Sequence, residues 1–491
     1  MYLDCQVYDI NGELQISFDA VMAYYQTGLL EHVFAELIHA LQTTMLKPRC
    51  HIGRDCRYPE HGDVNHSLTI VRADPLKSFP LTELQQAYAF GKTAYGGEVA
   101  TQVYSALRVK HLDLARLQAA LAKLIANHVM LRAVIGLEGQ QKILASVPDY
   151  RIKVDDLRLA EPEQQQAAIA KIERDMLMRN GPLGDWPHFE LRVSLLDHEQ
   201  ALIHFSVELL IADALSLEIL RADLCRFYQQ PEADLTPRDL SYADYCLSVK
   251  HYEQTLAFQH SQAYWQQKFS TLPSGLHLAR LNSGGHIGTV RLDAVLTEWP
   301  KIKQYAQSLN VPPSVVLLTA YAKVLSAWSD GQAFSIVIPS WQRLPVHPDI
   351  NHIVGDFTRL AWLPVNPQQT LSFTEHVLAV HAELQRDFAE APASGLSVLR
   401  KQALKPAQRR SLKFPIVFTD LVPEHESKLP AEFSLTKTLS RTAHVDIDNI
   451  STDHGDTLGL HWDVAEAVYA VADVELMFKE YWGVCGGGQY C

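Results

Sequence analysis

Residues 3–36, LDCQVYDINGELQISFDAVMAYYQTGLLEHVFAE, return near the far end of the chain as residues 447–480, IDNISTDHGDTLGLHWDVAEAVYAVADVELMFKE. No gap is needed. Asp4 falls on Asp448, Asp9 on Asp453, Leu14 on Leu458, Asp19 on Asp463, Tyr25 on Tyr469 and Phe34 on Phe478, a constant displacement of 444 residues. A repeat with so long a period measures the length of one structural unit. Residues 1–43 therefore read as the closing strand and helix of one unit, and most of a second unit follows. A fragment that short cannot bury its own apolar face, so it must lean on the next unit or on something outside this chain. Residues 44–75 mix Pro, His, Arg, Cys and Gly without periodicity and read as a linker. Residues 76–275 and 276–484 are the expected halves of the main unit, and 485–491, CGGGQYC, reads as a truncated end.

Within the main unit, Asp113 is placed to cap a helix that carries Leu114, Leu117, Leu121, Leu124 and Ile125 on one face. Ala201, Ile203, Phe205 and Val207 alternate as in a strand, which runs into the segment Glu208 to Asp213. Pro312 and Pro313 open a second helix, with Val316, Leu317, Ala320, Tyr321, Val324 and Trp328 expected on its buried side. Short apolar strands are predicted at 334–338, 360–365 and 414–418. Helices and strands are mixed without regular alternation, which points to an α+β fold of two lobes meeting near residues 270–290.

A chain of 491 residues with 47% hydrophobic and 20% charged residues is folded and long enough for two or three globular units. Its net charge of -13 argues against a nucleic acid or an anionic membrane as the main partner. The N-terminus lacks a basic stretch followed by an apolar one, and no apolar run is long enough to span a bilayer. Cys5, Cys50, Cys56, Cys225, Cys246, Cys485 and Cys491 show no paired metal-site spacing, and their odd number fits reduced thiols in a cytoplasmic protein. There is no Gly-rich phosphate loop, no H-E-x-x-H and no G-x-S-x-G elbow, so nothing points to ATP, a metal or an acyl-enzyme.

Seven segments, in order, resemble the heterocyclization family of non-ribosomal peptide synthetases, a branch of the condensation-domain superfamily. They are FPLTELQQAY at 79–88, NHVMLR at 127–132, DWPHF at 185–189, YW at 264–265, GDFT at 355–358, SG at 394–395 and FPIVFT at 414–419. The resemblance implies an α+β, chloramphenicol-acetyltransferase-like fold: a two-lobed, V-shaped pseudo-dimer with a central tunnel. Upstream and downstream carrier proteins would dock at its mouths, and an adjacent heterocyclization domain would be a further partner. The domain itself would bind no cofactor, because its substrates ride on the phosphopantetheine of the carriers. Such domains join an acyl group to the amine of carrier-bound Cys, Ser or Thr, then fold the side chain onto the new amide and expel water. The ring formed is a thiazoline or an oxazoline. Siderophore assembly is the expected setting, because tandem domains of this kind occur there.

The resemblance also assigns residues. Ordinary condensation domains carry H-H-x-x-x-D-G and heterocyclization domains D-x-x-x-x-D. This chain has Glu208 and Asp213 at that spacing, and Leu209 where the second His would stand. Leu cannot move a proton, so condensation chemistry through that His is excluded. Glu208 is carried over as catalytic, although its extra methylene displaces the carboxylate relative to Asp. Asp213 reads as structural, with Arg343 as its partner by analogy with a similar motif. The family's cyclizing Thr and Asp map to Thr419 and Asp448, which would move protons as water leaves. Their bland alternatives are a strand end and a turn cap.

Around them the pattern is eroded. Trp341, Gln342 and Arg343 replace F-N-R, and the stretch Ser440 to Ile450 loses two Gln and a Pro and gains Asp446. Gln342, Ser440 and Asp446 are the expected pocket residues. Three outcomes stay open: full heterocyclization, a condensation-only member of a tandem pair, and a degenerate domain that recruits carrier proteins. His204, flanked by apolar strand residues, reads as a satisfied core histidine, and His128 as a helix-end residue.

Overall fold

The structure is a computed structural model. It describes residues 3–10, 13–20, 68–75, 77–94, 101–136, 138–276, 278, 289–341, 343–344, 346–390, 393, 395–403, 414–421, 429–442, 445–465 and 468–486. The chain divides into two compact units, Met1–Pro59 and Glu60–Cys491.

In the first unit, β1 (Leu3–Ile10) and β2 (Glu13–Ala20) form an antiparallel hairpin in which Asp4 stands opposite Asp19. Tyr25 and Phe34 lie outside the described residues.

Among the described residues the second unit holds three sheets. The smallest has the order β3-β6-β5, from Phe79–Pro80 (β3), Ala133–Ile135 (β5) and Gln140–Ile143 (β6), with β4 at Gln102–Lys110 belonging to the next sheet. That five-stranded sheet runs β14-β4-β9-β8-β7, adding β7 (Lys153–Asp156), β8 (Phe189–Leu195), β9 (Gln200–Glu208) and β14 (Phe433–Arg441). A six-stranded sheet runs β10-β16-β15-β13-β11-β12. Its strands are β10 (Thr289–Leu296), β11 (Phe334–Ser340), β12 (Arg359–Val365), β13 (Ile416–Leu421), β15 (Ile447–Asp453) and β16 (Leu458–Ala465).

The displacement that aligns the two ends of the sequence also aligns their pairing. In β15 and β16, Asp448 stands opposite Asp463, as Asp4 does opposite Asp19.

Alternation along β4 builds two layers. Val103, Leu107 and Val109 enter the main core with the helix Leu114–Asn127, while Tyr104 and Ala106 meet Ile172, Met176 and Leu177 of the helix Pro162–Leu177. Asp113 caps the helix Leu114–Asn127 by accepting from the Arg116 amide at 3.0 Å. The six-stranded sheet is covered by the helices Pro313–Ala327 and Val471–Gly486, where Tyr321, Trp462, Phe478 and Tyr481 pack edge to face. Trp265, Phe269, Trp362 and Val417 form a separate apolar cluster.

Three features differ from the sequence reading. Trp328, expected inside, sits half-buried at a helix end, where its indole N–H reaches Glu480 at 2.8 Å. The end of the expected linker is held down: the Val71 amide donates to Ser248 Oγ at 2.8 Å and the Ala73 amide to Asp244 Oδ1 at 2.6 Å. It needs no periodicity, because its hold comes from backbone groups. Residues 433–441, although deep in the second half of the chain, add β14 to the five-stranded sheet of the first half, beside β4.

A second tie joins the halves at residues 355–357. The Asp213 amide donates to the Gly355 carbonyl at 3.0 Å, and the Phe357 amide donates to Asp213 Oδ2 at 3.2 Å. The approach is so close that a Cβ on Gly355 would lie 2.1 Å from the Tyr242 ring. Tyr242 cannot retreat, since it is buried and its hydroxyl donates to the Asp356 carbonyl at 2.7 Å. Gly355→Ala should therefore cost about 3 kcal/mol of stability, the upper part of the overpacking range. An unchanged urea midpoint would refute this close packing.

Candidate functional site

Three neighbouring strands assemble one group of polar residues. Asp448 on β15 pairs laterally with Val417 on β13 and with Asp463 on β16. Thr419, two residues along β13 from Val417, shares its face, and its hydroxyl donates to Asp448 Oδ1 at 2.7 Å. Ser440 arrives on β14 and donates to Asp448 Oδ2 at 3.3 Å. The site thus lies where a strand of one sheet meets the edge residues of the other. Thr289, Ser440, Arg441, Asp448 and Asp463 line a small recess here.

Asp448 is buried, and burial pushes its carboxyl up to about 7; the Thr419 bond opposes this and the nearby Asp463 charge adds to it. At neutral pH such a group can both give and take a proton. Asp446, two residues earlier, does not line the recess, and its carboxylate accepts from the Tyr469 hydroxyl at 2.7 Å. Gln342 lies outside the described residues.

Glu208 sits elsewhere, at the end of β9 opposite Gln102, which in turn stands opposite Arg441 on β14. The strand row therefore leads from Glu208 toward the recess, yet the carboxylate is held in its own cluster. Lys92 Nζ is 2.8 Å from Glu208 Oε2 and His188 Nδ1 is 3.2 Å from the same oxygen. Burial opposes charge on Glu208, but the bonds from His188 and Lys92 outweigh it and hold its pKa below the ordinary value. An ionised, ion-paired carboxylate of this kind supplies a fixed field rather than a proton.

Asp213 caps the helix Ala214–Gln229 through the Ser216 amide, at 2.7 Å, and Arg343 Nη2 lies 3.3 Å from the same oxygen. The Arg343 guanidinium stacks on Phe357, 4.2 Å from the ring centroid. His204 is buried between the Tyr104 hydroxyl at 2.7 Å and the Ser194 hydroxyl at 2.9 Å, and burial lowers its pKa to about 4. It stays a neutral core residue. His128 binds Asp223 at 2.7 Å. Among the described residues no cluster of His, Cys, Asp and Glu could hold a metal, and no helix is long and apolar enough to cross a membrane.

Lys92, His188, Arg291 and Asp463 were not singled out from the sequence. Asp463 had left a signal there as the counterpart of Asp19 in the repeat, and His188 as a member of the DWPHF segment, while Lys92 and Arg291 had left none.

The sequence profile of the condensation domain matches residues 76–482. The chain belongs to the condensation-domain family. Bacitracin synthase 1 of Bacillus licheniformis is 30% identical over 434 residues, which cover 85% of this chain and 8% of that protein. Phenyloxazoline synthase MbtB of Mycobacterium tuberculosis is 29% identical over 417 residues, 82% of this chain and 29% of that protein. The chain thus spans less than a third of these relatives. The EpoB cyclization-docking bidomain of a nonribosomal peptide synthetase from Sorangium cellulosum superposes with a TM-score of 0.78 at 25% identity, covering 98% of this chain and 96% of that one. The fold is accordingly the chloramphenicol-acetyltransferase-like fold of these domains.

The raised pKa of Asp448 has a thermodynamic signature. Its ordinary value is 3.8 and its folded value about 7, so between them the folded protein holds a proton that the unfolded chain releases. Stability contributed by the protonated carboxyl is therefore lost as pH rises through that window. Asp448→Asn cannot ionise and escapes this loss. The stability difference between variant and wild type should shift toward the variant by a few kcal/mol from about pH 4 to pH 8, at about 1.4 kcal/mol per pK unit. Urea titrations at both pH values check this, and a constant difference would contradict it.

Proposed function

We propose that the second unit is a heterocyclization domain. It joins a carrier-bound acyl group to the amine of carrier-bound Cys, Ser or Thr and then closes the side chain onto the new amide. The observation that carries this reading is the pairing of the half-buried Thr419 hydroxyl with the buried Asp448 carboxyl at the junction of the two sheets. Leu209, at the position of the condensation histidine, supports it too, since proton movement must then come from elsewhere.

In the closing step the side-chain sulfur or oxygen bonds to the amide carbon as the C=O π bond opens, and its proton passes to the former carbonyl oxygen, which becomes the hydroxyl of a tetrahedral adduct. Asp448 in its protonated form delivers a proton to the departing hydroxyl, which leaves as water. The carboxylate then takes the proton from the ring nitrogen, so that the group ends as it began. Thr419 orients the carboxyl. Glu208, held ionised by Lys92, acts through its field on the row Gln102–Arg441 rather than as an acid. Upstream and downstream carrier proteins deliver the substrates on phosphopantetheine, and the setting is the cytoplasm. The phenyloxazoline synthase and cyclization bidomain among its relatives support ring formation.

We propose further that residues 1–43 are the C-terminal tail of a preceding domain of the same family. The shared register of Asp4–Asp19 and Asp448–Asp463 carries this. The competing reading is a docking element, favoured by the cyclization-docking bidomain that matches 98% of this chain.

Incubating the chain with an acyl-loaded upstream carrier and a Cys-, Ser- or Thr-loaded acceptor tests the main reading by intact mass. The product expected on the acceptor is the amide less one water. Asp448→Ala should stop at the uncyclized amide, with ring closure reduced at least about 100-fold, the usual worth of a positioned acid–base group. An amide that retains its water with wild-type protein would make this a condensation-only domain, and no transfer at all would make it a recruitment module.

A further inference from the structure

Asp448 does not stand alone on its face of the sheet. The cross-strand row that contains it continues outward as Asp448, Asp463 and Arg291, on β15, β16 and β10. Arg291 grips Asp463 with both prongs, Nε to Oδ1 and Nη2 to Oδ2, each at 2.7 Å, and its Nη1 reaches the Thr438 carbonyl of β14 at 2.5 Å. Asp463 is only 4% exposed and lines the same recess as Asp448. Directly opposed residues on antiparallel strands lie within about 5.5 Å at Cβ, close enough for two carboxylates to sense each other in a low-dielectric setting.

We infer that Asp463 and Arg291 are positioning residues that set the proton affinity of Asp448. This inference rests on the proposed acid role of Asp448. Two buried carboxylates at this distance cannot both be ionised cheaply. Arg291 resolves the conflict by pairing with one of them, which leaves the proton on the other. The bidentate grip also decides which carboxylate keeps the charge, because only Asp463 lies within reach of the fork. The groups facing Asp448 from its other neighbours are Thr419 on β13, Ser440 and Arg441 on β14, and Tyr321 on the helix Pro313–Ala327. None of the four is an anion competing for the proton. Independent support comes from the first unit, whose hairpin carries the same two carboxylates, Asp4 and Asp19, in the same cross-strand pair. A pair kept in register in both copies is a device, whereas a lone buried aspartate beside the reacting one would be a liability.

The test is a carbon-13 carboxyl titration of Asp448 by NMR in the intact chain, together with the pH profile of ring closure. Asp463→Asn is isosteric and removes the neighbouring charge while leaving Arg291 in place. The Asp448 midpoint should fall by roughly one unit or more, and the pH above which ring closure declines should fall with it. Arg291→Lys keeps the charge but not the two-pronged grip, so the charge is less firmly fixed on Asp463 and the Asp448 midpoint should fall, by less than in Asp463→Asn. A purely structural role would lower yield or stability without moving the midpoint. The inference is overturned if the Asp448 midpoint stays put in Asp463→Asn, or if it rises in Arg291→Lys. Failure of the underlying reading looks different: Asp448→Asn would then leave ring closure intact even though Asp463→Asn still shifts the titration.

Discussion

Asp213 is the residue on which the second unit turns. It is fully buried, and a buried carboxylate is tolerated only when its oxygens are matched. One oxygen caps the helix Ala214–Gln229 and faces Arg343, and the other takes the Phe357 amide from the opposite half of the unit. The same residue therefore starts a helix and fastens the segment around Gly355. Nearby Asp356 has no hydrogen-bond partner for one oxygen, and burial raises its carboxyl to about 7. With the halves tied here and again through β14, the residues of the recess are held by both sheets at once.

That double tie explains how similar side chains take different parts. Glu208 and Asp448 are both buried carboxylates near the junction of the sheets. Glu208 has a lysine against it and is held ionised, whereas Asp448 has a threonine, a serine and another aspartate around it and keeps its proton to about neutral pH. Environment, not residue type, separates a fixed charge from a proton carrier. The extra methylene of Glu208 is consistent with this division, since it lets the carboxylate reach Lys92 and His188 rather than the recess.

Much of the architecture was legible. The Asp113 cap, the alternation in β9 and the Pro-initiated helix depend on local chemistry, and each appears where the periodicity placed it. The boundary of β13 moved, to Ile416–Leu421 from 414–418, because Phe414 and Pro415 lead into the strand rather than pair within it. Trp328 misled because a helix-end indole can satisfy its N–H at the surface. The candidate site was half legible: Thr419, Ser440 and Asp448 could be named through family motifs, and they meet. Lys92 and Arg291 carry no motif, and His188 stood inside the DWPHF segment without any sign of its partner; nothing about a lone Lys, His or Arg announces which carboxylate it will face.

The sequence by itself determined the α+β class and the family, since helix caps, strand alternation and a run of ordered motifs are written in neighbouring residues. Only the tertiary structure decided where charge resides. Proton affinity depends on burial and on neighbours hundreds of positions away: Arg291 reaches Asp463 across 172 residues, and Lys92 reaches Glu208 across 116. Contacts of that range are set by how sheets and helices close on one another, and no local pattern in the chain records them.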